Sequence, residues 1–284
     1  IITDSSVISL SNNDGGSNNT IFGRYAGANG SIGEKNAFFG DAVANDTLTT
    51  DADNNTGLGY RAMHGLTAGS ENTTVGSNAG YSMVAGVRNV AIGVNSLYQG
   101  AAQKTVAIGY ETGRYATGSF NTFVGAQAGV GGTTSAPFSS GEGNVALGYQ
   151  ALKAFTTGGD NIAIGYQAAE ALTTSNMVIA IGHSAAQSFT GDRGYGIYIG
   201  RLAGQAETGV YNDTIVGGEA GYSQNMGGAG TSYSYSTYIG YRAGYYNVSG
   251  VSNTYVGNEA GFSKTGAGNT AVGADAMFGG ANAV

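Results

Sequence analysis

"GGDNIAIGYQAAEALTTSNMVIAIGHSAAQ", residues 158–187, says nearly the same thing twice. Asn161-Ile162-Ala163-Ile164-Gly165 is answered by Val178-Ile179-Ala180-Ile181-Gly182, and an Ala follows three residues after each Gly, at Ala168 and Ala185. A hydrophobic pentad that ends in glycine and returns after 17 residues marks a repeat architecture. One copy is too small to bury a core, so it gains stability only by stacking on its neighbours.

Outward from this stretch, the same glycine anchor is found at Gly23, Gly40, Gly59, Gly76, Gly93, Gly109, Gly125, Gly148, Gly165, Gly182, Gly200, Gly217, Gly240, Gly257 and Gly273. Most steps are 16 to 19 residues and two are 23. Counting from each anchor Gly as position 0, position −1 is Ile, Val, Leu or Phe in all fifteen copies. Position −3 is Thr, Val, Ile or, once, Ala37, and position −4 is Asn in ten copies. Position +3 is Ala in twelve, with Val43, Ser96 and Thr112 the exceptions. β-Branched residues at −3 and −1 suit a pleated surface. Gly then ends the strand where the chain bends with φ > 0 or passes close to a neighbour. A helix is excluded, because Gly is costly in helix interiors and no 3.6-residue apolar period is sustained. The expected fold is therefore all-β: a parallel β-solenoid of about fifteen short coils, each with two short strands. Residues 19–277 form the repeats, 1–18 an N-terminal cap or connection, and 278–284 a C-terminal end or connection.

Placing −3 and −1 inward makes position −2 the outward one. It is Ala91, Ala107, Ala146, Ala163, Ala180 or Ala271 in six copies, and Phe38, Phe123, Tyr198, Tyr238 or Tyr255 in five. An outward apolar ladder of this length would be a large exposed patch. It predicts either packing against identical chains, since homo-oligomers close by symmetry, or a wider coil whose second sheet covers it. The candidate interface residues are Ala91, Ala107, Phe123, Ala146, Ala163, Ala180, Tyr198, Tyr238 and Tyr255.

"NVALGYQAL", "NTAVGADAM" and "NIAIGYQAA" resemble the head repeats of trimeric autotransporter adhesins of the YadA type, and the related repeats of bacteriophage tail and head fibres. The resemblance covers nearly the whole chain. It implies a left-handed parallel β-roll, association of three chains, and a place on a virion or cell surface. The neck motif and membrane anchor of the adhesins are absent, and the coils are longer and less uniform than theirs. These departures favour a phage fibre over an adhesin head.

Composition narrows the rest. The 284 residues hold 52 Gly, one Pro, no Cys and no Trp, and only 10% are charged. Without Cys there is no disulfide, thiol catalysis or thiolate-bound zinc. The net charge is −7 with no basic cluster, which removes the footprint of nucleic-acid binding. No apolar run approaches a membrane span. The start "IITDSSVISL" has neither an initiator Met nor a signal peptide, so a processed product or a part of a longer chain is expected.

The two 23-residue steps carry insertions at 129–143 and 222–236, and a smaller excess lies at 45–55. Insertions in solenoids become loops, often on the binding side. Eleven of the nineteen Tyr fall between Tyr195 and Tyr255. Tyr233, Tyr235, Tyr241, Tyr245 and Tyr246 beside the second insertion are candidates for binding a host-surface glycan or protein, because exposed Tyr among Ser, Asn and Gly suits adaptable recognition. Structural stacking is the alternative for the same residues.

Catalytic and metal chemistry find little support. "DADNNTG" at 51–57 begins like a calcium loop, but Thr56 stands where an EF-hand needs Gly and Ala62 where it needs its closing Glu. Glu111, Glu219, Glu259 and Asp275 share position +2, a scatter better suited to a solvated face than to a glycosidase pair. His64 and His183 stand alone. The expectation is a structural and adhesive fibre without enzymatic activity, cofactor or metal. The rival from another class is a polysaccharide-degrading tailspike.

Overall fold

The computed structural model describes residues 8–9, 18–27, 29–30, 32–100, 102–132, 138–191, 194–208, 212–224 and 234–279. The chain divides into two compact units, Ile1–Glu142 and Gly143–Val284. Most of the expected N-terminal cap lies outside the described residues. Its described residues are Asn18 and Ile8–Ser9, and Ile8–Ser9 pairs antiparallel with Ile21 and Phe22.

Each unit is a β-solenoid of stacked three-residue strands, and no helix occurs among the described residues. The first unit holds seven parallel strands from Thr20–Phe22 to Thr122–Val124, and the second holds eight from Val145–Leu147 to Thr270–Val272. Together they make about 13 turns. Register is strict: Ile162, Ala163 and Ile164 face Ile179, Ala180 and Ile181. The expected second strand of each coil is nearly missing. It survives as one pair, Asn29–Gly30 with Thr47–Leu48, and as single bridges at Val87–Gln103 and Ala116–Ser139. Elsewhere among the described residues, turns close the coil.

The anchor glycine has two reasons to be Gly. At Gly165, φ is +133°, a region L-residues rarely enter, and a β-carbon there would lie 2.4 Å from the carbonyl oxygen of Gly182 one turn on. The bend then passes through left-handed residues at +2 and +4, such as Gln167 at φ 52° and Ala169 at φ 48°. Left-handed conformations cost about 1–3 kcal/mol each outside Gly. Inter-turn hydrogen bonds offset this: the amides of Gln167 and Ala169 donate to the carbonyls of Tyr149 and Ala185 at 2.9 Å.

The structure reverses the expected faces. Position −2 points into the coil, while −3 and −1 point out. Ala91, Ala107, Phe123, Ala146, Ala163, Ala180, Tyr198, Tyr238 and Tyr255 are all 0% exposed within a single chain. None can offer its side chain to a second chain, so their assignment to an inter-chain interface is corrected: they are the core. Strand alternation says only that −3 and −1 share a face, not which face that is. The choice is made by Asn at −4, which is in phase with −2 and is buried as a hydrogen-bonded ladder. Asn161 Nδ2 donates to Asn144 Oδ1 (3.0 Å) and to the Ser175 carbonyl (2.8 Å), while Asn161 Oδ1 accepts from the Val178 amide (2.9 Å). A primary amide can satisfy two donors and an acceptor in the interior, where an unmet polar group would cost about 1–3 kcal/mol.

Volume in the coil is shared between −2 and +4. Large side chains at −2 face glycine at +4 in Phe123/Gly129, Tyr198/Gly204, Tyr238/Gly244 and Tyr255/Gly261. Small ones face large partners in Gly57/Met63, Ala91/Leu97 and Ala146/Leu152. Phe38 with Ala44, Ala107 with Gly113, Ala163 with Ala169 and Ala180 with Ala186 depart from this exchange. At Gly113 the neighbouring turns fill the space: a β-carbon there would sit 3.0 Å from Leu97 and 3.2 Å from Phe123. Close packing leaves little room for either voids or excess volume.

Candidate functional surface

With −2 inside, the outer sheet face is formed by −3 and −1. Every −1 residue is apolar and no −3 residue is charged. In the first unit the face runs through Val90 and Ile92 to Val106 and Ile108. In the second it runs through Val145 and Leu147, Ile162 and Ile164, and Ile179 and Ile181 to Ile197 and Ile199. These side chains are half-buried or exposed in one chain; Leu147 is 44% and Ile108 37% exposed. The apolar ladder expected on the outside does exist, but it is made of the residues expected inside.

Aromatic columns form a second surface feature. In the first unit His64, Tyr81 and Tyr98 stack with ring centroids 4.9 Å apart, and the Arg114 guanidinium lies over Tyr98. Burial and the nearby Arg61 charge hold His64 below the usual imidazole pKa. In the second unit Tyr149, Tyr166 and His183 form one column, and Tyr222, Tyr245, Phe262 and Phe278 another. One stacking partner per turn is what the repeat supplies, and each offset-stacked pair contributes about 0.5–1.5 kcal/mol.

These columns sort the candidate recognition residues. Tyr245 has both ring faces occupied, by Tyr222 at 4.9 Å and Phe262 at 5.3 Å, so neither face is open to a sugar. Tyr246 stands edge-on to both Tyr245 and Phe262 and is 49% exposed. Tyr241 is exposed on the same turn, with Arg242 lying between its ring and that of Tyr245. Tyr241, Tyr245 and Tyr246 are thus brought together. Tyr235 is exposed two residues before the strand Thr237–Ile239. Tyr233 lies outside the described residues.

The ends of the 222–236 insertion belong to the core, which the sequence did not reveal. Gln224, Ser234 and Ser236 are buried, and Gln224 Nε2 donates to Asp213 Oδ2 (2.7 Å) and to Ser234 Oγ (3.0 Å). The sequence-level signal was Asp213, the one charged residue among the fifteen at position −4.

Three of the four carboxylates at +2 are engaged in ion pairs with Arg side chains, Glu259 through Arg242 at 3.7 Å. Glu219 is held by Arg201 and by Arg242 Nε (2.7 Å), and Glu111 by Arg114 (2.5 Å) and Gln127 (3.1 Å). In the stretch that begins like a calcium loop, Asp53 Oδ1 accepts from the Glu34 amide (2.5 Å) and Asn55 belongs to the buried ladder. Both residues serve contacts between turns.

Comparison of the chain with protein-family models, with curated proteins and with solved structures finds no match.

Proposed function

We propose that the chain is the shaft of a homotrimeric fibre on a virion or cell surface, a left-handed β-roll that carries loops for host attachment. The observation that carries this reading is the uncharged ladder at −3 and −1, continuous in each unit and left half-exposed by the single chain. Apolar surface of this extent favours burial at about 25 cal/mol per Å². A second copy is the occupant that suits it, because an identical chain presents the same strand spacing and the same row of Ile and Val side chains along its length. The Ile and Val side chains there, held stiff at χ1, lose little freedom on packing. The number three and the left hand come from the resemblance to the adhesin and fibre repeats.

In this role the working chemistry is multivalent rather than catalytic. Three copies of a weak site gain avidity when they engage together. Tyr241 and Tyr246 are the exposed aromatic groups best placed for a glycan or protein receptor, with Arg242 beside them.

Light scattering on the purified chain tests the assembly. The expected mass is three times 28.4 kDa. The double variant Ile164→Glu/Ile181→Glu should lower it to one chain while leaving the far-ultraviolet circular dichroism unchanged. A wild-type monomer would overturn the trimer. For attachment, the deletion should be confined to 226–232, since removing all of 222–236 also removes the buried Gln224, Ser234 and Ser236. Unchanged binding of the trimmed chain to host cells, and of Tyr241→Ala/Tyr246→Ala, would remove this region from the receptor site.

A further inference from the structure

The interior of the second unit changes character along its length. At position +7 the buried side chains are Phe155, Leu172 and Phe189, and then Glu207, Gln224 and Asn247. In the same stretch position −4 runs Asn144, Asn161, Val178, Gly196, Asp213 and Ser236 before Asn returns at 253. An Asp at this position accepts as Asn does: its Oδ1 takes the amide of Ser236, one turn on, at 2.7 Å. Ionised, however, it cannot donate. Its second oxygen is met by Gln224 Nε2, which also donates to Ser234 Oγ, and Ser234 Oγ in turn donates to Ser236 Oγ at 2.9 Å. One carboxylate therefore holds together the two buried ends of an insertion.

We propose that Asp213 is a proton-operated latch in the core of the second unit, tying Gln224 to Ser234 and Ser236 differently in its ionised and protonated forms. Both forms have hydrogen bonds available. Ionised, the carboxylate accepts from Ser236 and Gln224. Protonated, it can donate to Gln224 Oε1, a buried oxygen with no partner in the ionised arrangement, once that amide turns over. The bond from the Ser236 amide is kept in both.

The titratable groups facing Asp213 are Tyr198 and Tyr238, and Glu207 is near the same Tyr198 hydroxyl. None supplies a positive charge, and among the described residues no Lys, Arg or His acts on Asp213. Burial therefore dominates and raises the carboxyl from 3.8 to about 6, against the hydrogen bonds from the Ser236 amide and Gln224, which lower it. The folded state holds the proton more tightly than the unfolded one. The stability this confers is complete below about pH 3.8 and is lost as pH rises through about 6. Mild acid closes the latch, and neutral pH loosens it.

Amide hydrogen exchange at Ser236 in the full chain, corrected for the intrinsic rate, reads the latch directly. Opening should be favoured by about 10-fold between pH 5 and pH 7.5, because much of the change that a shift of about two pH units brings already falls below pH 5. Asp213→Asn restores the ladder residue and can donate to Gln224 at any pH. Its opening at pH 7.5 should match that of the wild type below about pH 3.8. Subtracting the variant's pH profile from the wild type's also removes the contribution of the two histidines. Equal pH slopes in wild type and Asp213→Asn would overturn the proposal, as would a slope abolished by Glu207→Gln alone. If Asp213→Asn fails to fold, the ¹³C carboxyl titration of Asp213 in the wild type decides: a midpoint near 6 supports the latch, and one at or below 4 overturns it.

Discussion

Tyr198 and Gly204 share one space: a β-carbon built on Gly204 would fall 2.4 Å from Cδ1 of the Tyr198 ring. The same exchange is run in reverse by Ala146 and Leu152, where the small residue is on the strand and the large one on the bend. Tyr198→Ala alone should lose about 3–5 kcal/mol through the void it opens. Gly204→Leu alone should prevent folding of the second unit. Together they rebuild the Ala146/Leu152 pair, and Leu is tolerated at this left-handed position, since Leu152 has φ 50°. The double variant is expected to recover at least about half of the loss from Tyr198→Ala, a coupling measurable by a denaturation cycle. Additive losses would refute shared volume.

Substituting the strand-ending glycine should be costly wherever the stack is intact. Gly165→Ala places a methyl 2.4 Å from the Gly182 oxygen at φ +133° and is predicted to destabilise by more than about 3 kcal/mol. Gly273→Ala is the control, because nothing lies within 4 Å of its β-carbon position, although φ is +126° there. Thermal denaturation should show Gly165→Ala as the more harmful of the two.

The asparagine ladder should be intolerant of isosteric loss. Asn161→Leu removes the donors to Asn144 Oδ1 and the Ser175 carbonyl and the acceptor for the Val178 amide. At about 1–3 kcal/mol for each buried group left unmet, several kcal/mol should be lost in urea denaturation. A change below about 1 kcal/mol would mean that water replaces the amide.

The two faces of a single strand should respond in opposite ways. Ala163→Leu overfills the coil and is expected to cost about 1–3 kcal/mol or more without altering the association of folded chains. Ile164→Glu, one residue later, should leave the chain fold nearly unchanged and weaken association. Sedimentation and thermal unfolding of the two variants separate these effects. Loss of fold in Ile164→Glu alone would indicate that the outer face is covered within the chain.

The aromatic columns should matter more for stacking of turns than for recognition where ring faces are occupied. Tyr245→Leu is predicted to lower stability by about 1–2 kcal/mol, as two stacked contacts are lost. Tyr246→Leu, which removes only edge contacts, should cost less. Comparing their unfolding midpoints checks the difference.

The repeat, its period and its all-β parallel character were legible in the sequence. Fifteen apolar-Gly endings can be satisfied only by stacking, and Gly where φ exceeds +120° has no substitute. The register followed as well, because identical positions meet turn after turn. Which face of the strand lies inside did not follow, since an alternation of apolar residues has no sign. The inside was decided by what a narrow coil can hold: flat or small side chains at −2, Gly, Leu or Met traded against them at +4, and an amide at −4 that closes its own hydrogen bonds. The near loss of the second strand, the pairing of ring faces that occupies Tyr245, and the carboxylate of Asp213 between the two ends of an insertion all depend on contacts 11 to 23 residues apart. A sequence lists such residues separately. Only the closed turn brings them within hydrogen-bonding distance.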